Sequence, residues 1–187
     1  MGLFSYKNQE KEIVDVYKSE RFKSFKRVLH IYIINNNDSC FIRLNSFDAK
    51  ENKSLYDAPI IKEIPVDKTY YHVFCSTYKE YTGEAYKTKR VPDREVLDPK
   101  VIVDTKKKIV TYIVFAHNVD DVQMHNLTQE KFVYDWIGLK EFLEIVFSNK
   151  FVNYGDSYRE FVVHAISELF NMGDYIKTLK YSTQNVN

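Results

Sequence analysis

Near Leu139 the hydrophobic period of the chain changes, and that change limits the fold more than any other feature. Before it, apolar residues come in short runs rich in Val, Ile, Tyr and Phe: Val28 to Ile34 (VLHIYII), Cys40 to Leu44 (CFIRL) and Ile109 to Phe115 (IVTYIVF). Runs of β-branched and aromatic residues bounded by polar turns read as strands. After it, Leu139, Phe142, Leu143, Val146 and Phe147 follow the i, i+3, i+4, i+7, i+8 spacing of an amphipathic helix. Tyr158, Phe161, Val162, Ala165, Ile166, Leu169 and Phe170 repeat that spacing, with Asp156 or Ser157 as its cap and Gly173 beyond its end. Strands grouped first and helices grouped last imply an α+β fold. We expect a mostly antiparallel sheet from the N-terminal two thirds, with two or three C-terminal helices packed on one face.

Within the strand-rich part, the NNNDS sequence after Ile34 reads as the turn of a hairpin. Asp48 to Asp57 reads as a polar connection, and Ile60 to Val66 as a strand that Pro65 brings to an end or places at an edge. Tyr70 to Ser76 reads as another strand, Thr77 to Arg90 as a charged loop or short helix, and Val101 to Val103 as a strand leading to Ile109. Glu10 to Ser24 fits a helix, with a strand over Ile13 to Tyr17 as the alternative. A third C-terminal helix is expected over Asp174 to Tyr181. With 187 residues and no repeat or linker, the chain is expected to form a single domain, residues 1–187.

Fifteen Tyr and thirteen Phe against five Gly give enough apolar surface for a core and too few glycines for a phosphate-cradling loop. Cys40 and Cys75 have no partner at a metal-binding spacing and read as thiols of a reducing compartment. No apolar run reaches the length of a membrane span, so a soluble, cytoplasmic protein with no membrane partner is expected. Net charge is +1, with cations in excess up to Thr111 and acids in excess after it. That balance argues against a polyanion mimic and against a broadly basic nucleic-acid binder, and leaves room for a local patch. Lys18 to Arg27 (KSERFKSFKR) is such a patch, in which Lys18, Arg21, Lys23, Lys26 and Arg27 could contact phosphates and the two Phe could stack on bases. The same two rings can equally face the core.

The segment Val91 to Ala116 holds the acids with the most suggestive spacing. If Asp98-Pro99 turns the chain, Leu97 pairs with Lys100 and Asp93 falls opposite Asp104, their Cβ atoms about 5 Å apart. Lys106 shares the Asp104 face of such a strand. Pro92-Asp93 followed by Asp104-Thr105-Lys106 resembles the PD-(D/E)xK nuclease superfamily. The resemblance implies metal-assisted phosphodiester hydrolysis, with Asp93 and Asp104 holding Mg²⁺ and Lys106 beside the scissile phosphate. Read from the residues alone, Thr105 to Lys108 also fits a turn between two strands, which takes Lys106 away from the acids.

Arg159 and His164 have the R-x4-H spacing of HEPN-type ribonucleases, but five positions on a helix separate two side chains by about 140°. Glu160 and Glu168 flank His164 at i−4 and i+4 and mark a charged surface. His30, His72, His117 and His125 are scattered, with Asp120, Asp121 and His125 close enough in sequence to share a loop. Without a strong catalytic constellation, the sequence reads as a protein-interaction module, such as a phage or mobile-element accessory protein that binds and modulates a host protein. A viral inhibitor of a host enzyme is one form of this. The alternatives are a nucleic-acid-binding protein and the PD-(D/E)xK-like nuclease. The expected partner is a protein, and no cofactor is expected apart from Mg²⁺ under the nuclease alternative.

Overall fold

The computed structural model describes residues 22–35, 37–48, 53–86, 99–119 and 132–184. Strand β1 (Lys26–Asn35) is the axis of the sheet. One edge of β1 pairs in parallel with β6 (Ile109–Val119), from Lys26 opposite Ile109 to Asn35 opposite Val119. Its other edge is shared between β4 (Ile60–Glu63) over Val28 to Ile31 and β2 (Ser39–Asp48) at Ile34. Strand β5 (Lys100–Asp104) extends the sheet beyond β6. Strands β3 (Lys53–Asp57) and β7 (Val133–Gly138) flank β2. Among the described residues the sheet has seven strands, and every strand pairing except β1 with β6 is antiparallel.

Both faces of β1 are covered, which explains why its sequence is a nearly continuous apolar run instead of an alternation. Leu29, Ile31 and Ile33 pack on α1 (Tyr70–Thr82), together with Val110, Tyr112 and Val114 of β6. Tyr32 and Ile34, with Ile113 and Phe115, pack on the opposite face. There lie α2 (Leu139–Phe147), α3 (Asp156–Phe170) and α4 (Gly173–Gln184). The expected class, an α+β fold with a mostly antiparallel sheet and C-terminal helices, is the one observed. Among the described residues, no helix is long and apolar enough to cross a membrane.

Helix α1 departs from expectation, because Tyr70 to Ser76 was expected to be a strand and Thr77 to Arg90 a loop or short helix. Tyr70, Val73, Phe74, Thr77, Tyr78 and Tyr81 are buried at helical spacing. Thr69 caps the start, its side chain accepting from the His72 N–H at 3.2 Å, and Gly83 ends the helix with φ 74° and an N–H bonded to the Lys79 carbonyl. The β-propensity of Tyr, Val and Phe is overruled here by the sheet face that those rings cover. A fourth helix therefore covers the face that the C-terminal three leave. Strand β3 also forms within the expected polar connection, and the Ile60 strand stops at Glu63. The cap of α3 is Gly155, at φ 96°, which a side-chain-bearing residue would adopt only with strain.

Candidate functional site

The three C-terminal helices cover only part of their face. The inward row of β1 runs Lys26, Val28, His30, Tyr32, Ile34, and the helices close over its Tyr32 end. At the other end the strand registers set Glu63, Val28, Thr111 and Ile102 side by side across β4, β1, β6 and β5. They likewise align Ile61 with His30, and Lys26 with Ile109 and Asp104. With Tyr154, Tyr158 and Lys107 these residues line a cleft of about 500 Å³, a size that suits a small-molecule ligand.

A buried polar cluster borders this cleft. His30 is 3% exposed, and its Nδ1 lies 2.8 Å from the Tyr158 hydroxyl. That hydroxyl is also 2.8 Å from the Tyr32 hydroxyl. The Tyr154 ring packs edge-on against His30, and its hydroxyl donates to Asp57 Oδ1 at 2.6 Å. Asp57 also accepts from the Ala58 N–H and from the Arg43 guanidinium, which is 2.8 Å from Oδ2. Backbone bonds between Tyr56 and the Lys150 to Val152 segment tie β3 to the chain just before Tyr154. Burial, and then the Arg43 guanidinium, lower the pKa of His30 to about 3, so the ring is neutral near pH 7. Burial pushes the Tyr32 and Tyr158 hydroxyls well above the usual tyrosine range, so both stay protonated.

Asp104, one of the expected nuclease acids, lies at the end of β5 on the rim of the cleft. Its Oδ1 accepts from the backbone N–H groups of Lys106 and Lys107 at 3.0 and 2.9 Å, which fixes the turn at residues 105–108. Asp104 stands opposite Ile109 of β6, so the chain turns through the lysine run and Lys106 does not continue the strand. Asp93 lies outside the described residues, as do Lys18, Arg21, Asp120, Asp121 and His125. In the basic patch, Arg27 is buried, and its guanidinium donates to the carbonyls of Pro65 and Lys68, holding the turn before α1. Lys26 pairs with Glu63 at 2.8 Å, and Lys23 is exposed. His164 pairs with Glu168 at 3.2 Å on an exposed face of α3, as the flanking acids suggest.

His30, Tyr154 and Tyr158 escaped the sequence reading. One signal was available, since a histidine inside VLHIYII needs a buried hydrogen-bond partner. Nothing in the sequence pointed to Tyr158 as that partner.

No family model and no curated protein sequence matches the chain. Solved structures do match. A mutT/nudix family protein from Listeria innocua has a TM-score of 0.49 and 12% identity, over 79% of this chain and 97% of that one. The MutT protein from Methanosarcina mazei has a TM-score of 0.46 and 17% identity, over 76% and 94%. A bifunctional NMN adenylyltransferase/ADP ribose pyrophosphatase from Francisella tularensis, complexed with AMP and a manganese ion, has a TM-score of 0.43 and 14% identity. That match covers 71% of this chain and 39% of the enzyme.

These comparisons correct the sequence reading on function. The matching structures include proteins named MutT or mutT/nudix, an ADP compounds hydrolase and the bifunctional adenylyltransferase/pyrophosphatase. The expected protein-interaction module, with its viral-inhibitor and host-binding forms, is therefore withdrawn, as is the nuclease alternative. The expectation of no cofactor is withdrawn too, in view of the manganese ion in the Francisella enzyme. The correction stops there, because at these TM-scores and identities the matches bring neither activity nor substrate to this chain. Among the described residues, no group of three or more His, Cys, Asp or Glu could hold a metal ion.

Proposed function

We propose that the chain binds a small anionic, ring-bearing molecule in the cleft between β4, β1, β6, β5 and α3. The observation that carries this reading is a neutral, buried histidine held by a tyrosine hydroxyl at the wall of an open cleft. Such a group is costly in a core and of use where a ligand meets it. Val28, Ile61, Ile102 and Ile109 supply an apolar floor, and the half-buried ring of Tyr154 supplies an aromatic wall. The two acids at the rim are already engaged, Glu63 with Lys26 and Asp104 with the turn N–H groups. Lys107 is then the cation at the mouth that is placed to meet an anionic head. A planar body with a phosphate or carboxylate head satisfies all three features.

The test is calorimetric titration of the purified chain with AMP, adenosine and inorganic phosphate at low salt. Saturable binding of AMP is expected, tighter than that of either fragment and weakened at least fivefold by Lys107→Glu. Absence of saturable binding across the panel, or AMP affinity indifferent to Lys107→Glu, would overturn the reading.

A further inference from the structure

Three groups form a short hydrogen-bonded chain beneath the cleft. The Tyr158 hydroxyl has two polar neighbours, the Tyr32 hydroxyl and His30 Nδ1, each at 2.8 Å. Tyr154 does not compete for it, because its own proton is given to the Asp57 carboxylate. Three proton orders are available. In one, Tyr32 donates to Tyr158, Tyr158 donates to Nδ1, and the ring proton of His30 sits on Nε2. In a second, Nδ1–H and Tyr32 both donate to Tyr158, whose own O–H, on a side chain that is 2% exposed, is then left with no acceptor among the described residues. In the third, Nδ1–H donates to Tyr158 and Tyr158 donates to Tyr32. The Tyr32 O–H is then left with no acceptor among the described residues, on a side chain that is 0% exposed. A buried donor without an acceptor is the costlier arrangement, so the first order prevails. Nε2 has no protein partner among the described residues, and His30 lines the cleft, so this nitrogen is the one left to meet a ligand.

We propose that Tyr32 and Tyr158 act as positioning residues that fix His30 as its Nε2–H tautomer, making it a hydrogen-bond donor to the cleft ligand. The ligand must then bring an acceptor oxygen, from a phosphate, carboxylate or carbonyl group, to that point. A ligand presenting a donor there is rejected, because two donors face each other. This inference rests on the reading of the cleft as a ligand site, but its main test does not require a ligand. The fixed tautomer follows from the hydroxyl chain alone.

The experiment is ring ¹⁵N spectroscopy of the full chain labelled at histidine, at pH 7, with His30 assigned by the signals lost in His30→Gln. The expected pattern is a neutral ring protonated at Nε2. In Tyr158→Phe the lock is removed, and a mixture of tautomers is expected. A merely structural tyrosine would leave the tautomer unchanged. If Tyr158→Phe does not fold, the wild-type spectrum still decides. A ring protonated at Nδ1, or at both nitrogens, overturns the proposal. In the ligand arm, AMP is expected to shift the Nε2 signal and to bind at least tenfold more tightly than adenosine. If AMP fails to bind, the ligand-site reading falls while the tautomer remains measurable. If AMP binds and His30 carries its proton on Nδ1, this inference alone falls.

Discussion

The two faces of the sheet are built from the same strands and differ in how they are closed. On the α1 face, the β1 row Leu29, Ile31, Ile33 is fully buried, and Arg27 at its end is buried by its bonds to the Pro65 and Lys68 carbonyls. On the opposite face, Tyr32 and Ile34 are equally buried, but Val28 is half-exposed and Lys26 exposed. One 13-residue helix closes its face with aromatic rings, including Tyr70 stacked on Tyr112 at 5.7 Å. Three helices on the other face gather at one end, where Phe142, Val162 and Ile166 are wholly buried. Polar groups follow this division. The closed face has apolar and aromatic packing at its centre, whereas the part-open face holds His30, Tyr32, Tyr158, Asp57 and Arg43 at the margin of its core.

Two truncations of similar chemistry test that division. Phe74→Ala on the closed face and Phe142→Ala on the part-open face each remove a fully buried ring and should each cost about 4 kcal/mol, read from urea denaturation midpoints. Their effects on the cleft should differ. Phe142 packs edge-on to Tyr32 at 5.8 Å, so its loss should disturb the His30 ring signal, while Phe74→Ala should leave that signal in place. Equal disturbance by both would remove the distinction between the faces. A smaller effect is expected from Asp57→Asn, which keeps the shape and leaves the Arg43 guanidinium buried without its counter-ion. Arg43 Nε already takes no partner among the described residues, so little compensation is at hand. A cost of about 3 kcal/mol is expected from the same denaturation experiment. A loss below 1 kcal/mol would mean that solvent reaches the pair.

The same contrast explains what the sequence disclosed. β1, β2 and β6 were legible as runs rich in β-branched and aromatic residues bounded by polar turns, and α2 and α3 because each keeps one helical period throughout. α1 was not, since YYHVFCSTY has the composition of a strand and the spacing of a helix, and only the sheet face that it covers favours the spacing. The candidate site was less legible still. Asp104 could be singled out from its neighbours, and it does reach the cleft rim, but as the anchor of a turn. The groups at the cleft wall come from β1 and α3, 128 positions apart at His30 and Tyr158, and no local pattern signals such a pairing.

The smallest expected effect is on acid stability, and it isolates the part-open face from the closed one. His30 carries a folded pKa of about 3, held down first by burial and then by Arg43, against about 6.5 for an unfolded histidine. Between these values the unfolded chain binds a proton that the folded chain does not. Its contribution therefore makes stability fall as pH drops below about 6.5, with the loss complete only near 3. From pH 7 to pH 5 the loss is about 2 kcal/mol, a range in which most carboxylates remain ionised. Urea midpoints at the two pH values, measured for the wild type and for His30→Gln, give the comparison. The variant cannot take up that proton, so its midpoint should change less than that of the wild type. Equal acid slopes in the two proteins would show that His30 is open to water and can be charged in the folded state. The cleft would then reach deeper than the helices allow.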